Sequence, residues 1–100
     1  MEIAWPFEDP PETEVITLGR VAWGESPLRV VTHDEDDGAW QFLDGDHVTE
    51  DDALVISLGE MVQFDPSLAS LADLPMGWHA WRADAMDDWQ RAEGDPPLEP

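Results

Sequence analysis

Lysine is absent from all 100 residues, and Arg20, Arg29, Arg82 and Arg91 are the only strong cations against 24 aspartates and glutamates. The resulting formal charge of -20 opposes compaction by self-repulsion. It also excludes nonspecific attachment to nucleic acid or to an anionic membrane, because both need a basic surface. Cysteine is missing as well, which removes disulfides, thiolate zinc sites and thiol nucleophiles together and fits a cytoplasmic location. The opening stretch, MEIAWPFEDPPE, has neither the basic start nor the long apolar run of a signal peptide. No later segment approaches the roughly 20 apolar residues of a membrane span. There is no glycine-rich phosphate loop and no nucleophile elbow.

Apolar residues make up 42% of the chain, enough for one modest core in a single domain. The stretch from His33 to Asp46, HDEDDGAWQFLDGD, organises the rest. Asp37-Gly38 and Asp44-Gly45 are turn pairs suited to positive φ, and Trp40 and Phe42 alternate between them with Ala39, Gln41 and Leu43 as in a half-buried strand. The expected fold is α+β, a small antiparallel sheet with short helices on one face. Its strands are expected over 14–18, 28–33, 39–43, 53–57 and 76–82. Residues 53–56 also admit a helix running on from Glu50, and residues 20–24 either extend the first strand or turn away.

Ser57 and Glu60 have capping-box spacing for a helix over 58–64. Asp65-Pro66 starts a further turn through Leu71, with aspartate as the cap and proline at the first helical position. Thr49 to Asp52 suits a single acidic turn. Residues 83–93 are expected to form a last helical turn around Met86 and Trp89. The domain is placed at 14–93, after an extended arm over 1–13 that Trp5 and Phe7 anchor on the core, and before a disordered acidic tail over 94–100. Val30, Trp40, Phe42, Ile56, Met61, Leu68 and Trp78 are the expected core, and Trp5, Trp23, Trp81 and Trp89 the expected rim.

No catalytic signature emerges. The run Asp34-Glu35-Asp36-Asp37-Gly38 suggests a calcium loop, but if Gly38 takes the sixth position, the first is His33 and the twelfth is the short Asp44, so the spacing fails. His33, His47 and His79 lack paired ligand spacing and read as turn, rim or packed residues. Ser26, Ser57, Ser67 and Ser70 stand in turn or cap contexts, and carboxylates this numerous identify no acid/base pair without a pocket. The expectation is therefore a protein that is not an enzyme and needs no metal or cofactor. The competing reading is a small metal-binding module or hydrolase using the acids of 33–47.

The motifs D-G-A-W-Q-F at 37–42, G-D at 45–46, D-P-S-L at 65–68 with Leu71, and P-M-G at 75–77 resemble a small bacterial family, domain of unknown function 2185, also called the immunity protein 33 family. The likeness covers residues 28–82; where that family tends to have Ser-Gly before the tryptophan, this chain has Gly38-Ala39. The resemblance implies an immunity role, in which the protein binds and neutralises a toxin, and it implies no active site. A basic protein partner suits the charge, since an acidic inhibitor can be steered onto the basic surface of a toxin that cuts nucleic acid. Asp34, Glu35, Asp36, Asp37, Asp44, Asp46 and Trp81 are the expected contacts. Nucleic-acid mimicry is a second way for such a surface to act, and acidity that serves only solubility or a salt-adapted proteome is the plainer one.

Overall fold

The computed structural model describes residues 5–46, 48–84 and 86–94. Six strands form one sheet: β1 (Glu14–Leu18), β2 (Val30–His33), β3 (Trp40–Leu43), β4 (Ala53–Ser57), β5 (Trp78–Trp81) and β6 (Gln90–Glu93), in the order β4-β1-β3-β2-β5-β6. The fold is α+β, as the alternation of short strands and capped turns implies. The β2-β3 hairpin pairs Val31 with Phe42 and His33 with Trp40, and Gly38 turns it with φ 71°. The pairings of β1 with β4, β2 with β3, β2 with β5 and β5 with β6 are antiparallel, whereas β1 lies parallel to β3, so the sheet is mixed. A parallel neighbour requires a crossover. Here α1 (Gly19–Ala22) and β2 lie between β1 and β3 in the chain, so residues 19–24 turn away after β1.

Registered partners share a face of the sheet, and the ladder places Val15, Thr17, Val31, Trp40, Phe42, Trp78 and Ala80 together. On this face pack α2 (Leu58–Phe64) and a 3-10 helix (Pro66–Leu71), contributing buried Leu58, Met61, Leu68 and Leu71. Both starts are built as their sequences imply. Ser57 Oγ accepts from the Glu60 amide while the Glu60 carboxylate accepts from the Ser57 amide. Asp65 accepts from the Ser67 amide, with Pro66 at the first position.

Phe7 is buried and meets Trp40 edge to face at 5.3 Å between ring centres, while Trp40 Nε1 donates to Asp9 Oδ2 at 3.0 Å. The N-terminal arm is thus anchored through its aromatics. It is not extended throughout, because the Thr13 amide closes a turn on the Pro10 carbonyl.

Some positions depart from expectation. Of the residues assigned above to the core, Ile56 and Trp78 are half-buried but pack against it, whereas Val30 is half-buried on the other face, and Val31 takes the core position because it is the residue registered with Phe42. Residues 90–93, expected as helix, form β6 against β5. Gln-Arg-Ala-Glu is a helix-favouring tetrad, and the open edge of β5 overrides that local preference with ladder hydrogen bonds. Trp89 fixes the approach to β6, with its ring 4.2 Å from the Arg82 guanidinium and its Nε1 donating to Ser67 Oγ. Residues 1–4, His47, Ala85 and 95–100 lie outside the described residues, including most of the stretch read as a tail. Among the described residues no helix is long and apolar enough to cross a membrane.

Candidate functional site

The acidic turn between β2 and β3 holds itself together with its own carboxylates. Asp34 Oδ1 accepts from the Asp36 amide at 2.9 Å and Asp37 Oδ1 from the Ala39 amide at 3.0 Å. These are the local turn bonds that short aspartate side chains make readily. The four acids Asp34, Glu35, Asp36 and Asp37 remain exposed, presented on a turn whose backbone is fixed. Beside them an open groove of about 980 Å³ runs between the N-terminal arm, the turn and residues 69–76. Its lining includes Glu8, Asp9, Asp37 and Asp73, together with His33 and Met76.

His33 lies flat on Trp40 at 3.8 Å, and its Nδ1 is 2.7 Å from the Leu74 carbonyl. A carbonyl only accepts, so Nδ1 is the donor in this contact. His79 is buried and donates from Nδ1 to the Gly94 carbonyl at 2.8 Å. Both histidines thus tie backbone segments together. His47, the third one considered from sequence, lies outside the described residues. Among the described residues no group of three or more His, Cys, Asp or Glu side chains could hold a metal ion.

At the other end of β3 the acids separate into two kinds. Asp46 is exposed and stands 3.7 Å from Arg29. Asp44, expected as a contact residue, is instead fully buried. Arg20 Nε and Ser26 Oγ each donate to Asp44 Oδ2 at 2.6 Å, and Arg20 Nη2 and the Asp46 amide each donate to Oδ1 at 3.0 Å. Arg29 Nε donates to the Asp44 carbonyl at 2.9 Å. Asp44 therefore organises the loops and offers nothing to a partner. Arg20 also reaches Asp52, Arg82 pairs with Asp65 and Arg91 with Asp73. Every arginine of the chain is thereby committed to an aspartate of its own.

These contacts set the acid response. Burial pushes the Asp44 carboxyl up, but hydrogen bonds from Arg20, Ser26 and the Asp46 amide outweigh it and hold the group well below the ordinary range. In Asp65 burial is again outweighed, here by Ser67 and Arg82, and Asp52 is lowered chiefly by the Thr49 amide and hydroxyl. A carboxyl lowered by folding stabilises the fold above its unfolded value of about 4, and this contribution disappears as pH falls through the folded value. Thermal unfolding followed by tryptophan fluorescence should therefore show a midpoint falling steeply below about pH 4. Because protonation also relieves the repulsion among the acids, the parent is compared with Asp44→Asn, and a gap between their midpoints that fails to shrink from pH 6 to about pH 2.5 would refute the assigned pair.

Sequence reasoning placed Trp81 with the hairpin acids, and the structure puts it 40% exposed on the face of the sheet opposite the helices, registered with Val30. That face also carries Ile16, Val55, Leu43, Thr32 and Gln41, which sequence reasoning did not single out. Strand alternation was the available signal for them. For Glu8, Asp9 and Asp73, brought together only by the arm and the residue 69–76 connection, there was none. Comparison with protein-family models, with curated proteins and with solved structures finds no match to this chain, so the family resemblance rests on its motifs alone.

Proposed function

We propose that this is a non-catalytic cytoplasmic protein that binds and neutralises a basic protein partner, in the manner of a toxin-immunity protein. One observation carries the reading: all four arginines are consumed by internal aspartates, while Asp34 to Asp37 stand exposed on a braced turn. The acids left over have no lysine in the chain to meet them, and a basic partner supplies the missing countercharge. Motif likeness to the immunity protein 33 family favours a toxin as that partner, and charge complementarity supplies orientation and on-rate.

The test starts from the product of the neighbouring gene, co-purified and then mixed in stopped flow. Association should slow as salt rises. Reversal of Glu35 and Asp36 to lysine should slow it by about tenfold while leaving the thermal midpoint nearly unchanged, as expected of exposed residues whose carboxylates do not brace the turn. Association that ignores both salt and these substitutions excludes the acidic mechanism. Turnover of a substrate by the purified protein excludes the non-catalytic reading.

A further inference from the structure

In a chain this rich in charge, one surface is almost without it. The registers of all five strand pairings put Glu14, Ile16 and Leu18 of β1, Ala53, Val55 and Ser57 of β4, Gln41 and Leu43 of β3, Val30 and Thr32 of β2, His79 and Trp81 of β5, and Gln90 and Ala92 of β6 on the side away from α2. Glu14 is the sole carboxylate among them. Leu18 and His79 are enclosed, but Val55 is 58% and Ile16 37% exposed, with Trp81 at 40%. Val30, Thr32, Gln41 and Leu43 are half-buried between them.

The acids lie at its ends. Antiparallel alternation brings the 34–37 turn, Glu14 and Glu93 to one end of the strands, and Asp46, Asp51 and Asp52 to the other, where Arg29 and Arg20 meet Asp46 and Asp52 but leave Asp51 in excess. With strands about 4.8 Å apart and a rise of about 3.4 Å per residue, the neutral field measures roughly 19 Å from Val55 to Trp81 and about 17 Å between the acidic ends. Its area, roughly 300 Å², is below the ~800 Å² that each partner contributes to a standard interface. The field together with its acidic borders has the anatomy of such an interface, an apolar centre depleted of charge inside a polar rim.

We infer that this open sheet face is the docking surface for a basic protein that presents an apolar patch between two cationic groups, with Val55, Ile16, Val30 and Trp81 as the centre and the hairpin acids as one border. The inference rests on the basic-partner reading above and adds where the partner sits and what it must present. Charge decides the occupant. A second copy of this chain would set acidic borders against acidic borders, each molecule carrying -20, whereas lysines or arginines at both ends of an apolar patch are complementary along the whole strand length. Trp81 is suited to retention, since tryptophan is enriched where binding energy concentrates.

Two synthetic helical peptides of identical composition test this on the intact protein. One has a leucine-rich centre between two lysine pairs about 17 Å apart, roughly eleven residues of helix, and the other has the same lysines spread evenly. Amide and indole shifts are followed by NMR at low salt. The first peptide should perturb Ile16, Val30, Val55 and the Trp81 indole, and should bind about tenfold more weakly to a Val55→Ser, Trp81→Ala double variant. The second peptide should perturb only the acidic turn. Perturbation confined to residues 34–37 with both peptides, or equal affinity for the double variant, overturns the sheet-face assignment and leaves the basic-partner reading standing. Absence of any salt-dependent binding of either peptide removes both. Sedimentation as a dimer that Val55→Asp dissociates assigns the face to a second copy and overturns the proposal.

Discussion

Replacing Asp44 by alanine should destabilise the protein by about 3 kcal/mol, a value at the lower end for breaking a buried ion pair because Arg20 remains partly solvated. For a domain of this size that lowers the thermal midpoint by roughly 15 °C. The single carboxylate accepts from Arg20 by a two-pronged fork, from the Ser26 hydroxyl and from the Asp46 amide. It thereby joins α1, the segment entering β2 and the turn leaving β3. Without it the Arg20 guanidinium loses its buried carboxylate and is left to the partly exposed Asp52 among others, and Ser26 and the Asp46 amide lose their acceptor. Asp44→Asn keeps the shape but not the charge, so it should fall between parent and alanine variant. Urea unfolding with unchanged m-values measures the difference. Asp46→Ala serves as the control, because its 3.7 Å approach to Arg29 at an exposed site contributes well under about 1 kcal/mol. If Asp44→Ala unfolds like the parent but binds a basic partner more slowly, Asp44 is a contact residue after all and the loop-organising role is wrong.

The contrast between Asp44 and Asp46 shows where reading the sequence stops. Both belong to one Asp-Gly-Asp turn, and nothing local distinguishes them. The difference comes from Arg20, which is brought to Asp44 by the chain reversal through α1. Local features, by contrast, were legible. The capping box at Ser57, the Asp65-Pro66 start, the glycine turn at Gly38 and the alternation of Trp40 with Phe42 are each decided by residues within a few positions, and each forms as its chemistry requires. Sheet order was not legible, because the parallel placement of β1 beside β3 depends on which strands bury the most surface together. The same limit explains Val30. Alternation in Leu-Arg-Val-Val-Thr-His identifies two faces, but only the pairing of Val31 with Phe42 tells which one meets the helices. The neutral sheet face lay in the sequence as alternate strand positions, yet it became a single surface only once the registers were known.

Arg82→Ala should be the most damaging substitution, costing about 4 kcal/mol, because one guanidinium with a nearly inaccessible side chain serves four partners on three segments. Its Nε donates to the Leu28 carbonyl at 2.9 Å, Nη1 to Ser67 Oγ at 3.1 Å, and Nη2 to the Asp65 carboxylate, while its plane lies 4.2 Å from the Trp89 ring. Asp65 is also the cap of the 3-10 helix that buries Leu68 and Leu71, so loss of the cation leaves that cap as a partly desolvated, unpaired charge and strips the Leu28 carbonyl of its donor. Trp89, which leads into β6, loses its cationic neighbour, and the edge strand should loosen before the rest of the sheet. Arg82→Lys separates charge from geometry: an ammonium can meet Asp65 but cannot at the same time reach Leu28 and Ser67 from a rigid fork. Lysine should therefore restore less than half of the lost stability. Urea unfolding gives the magnitudes, and amide exchange in Gln90–Glu93 reports the edge. A lysine variant within about 0.5 kcal/mol of the parent would mean that charge alone suffices at this position and that the three-way fork adds nothing to the fold.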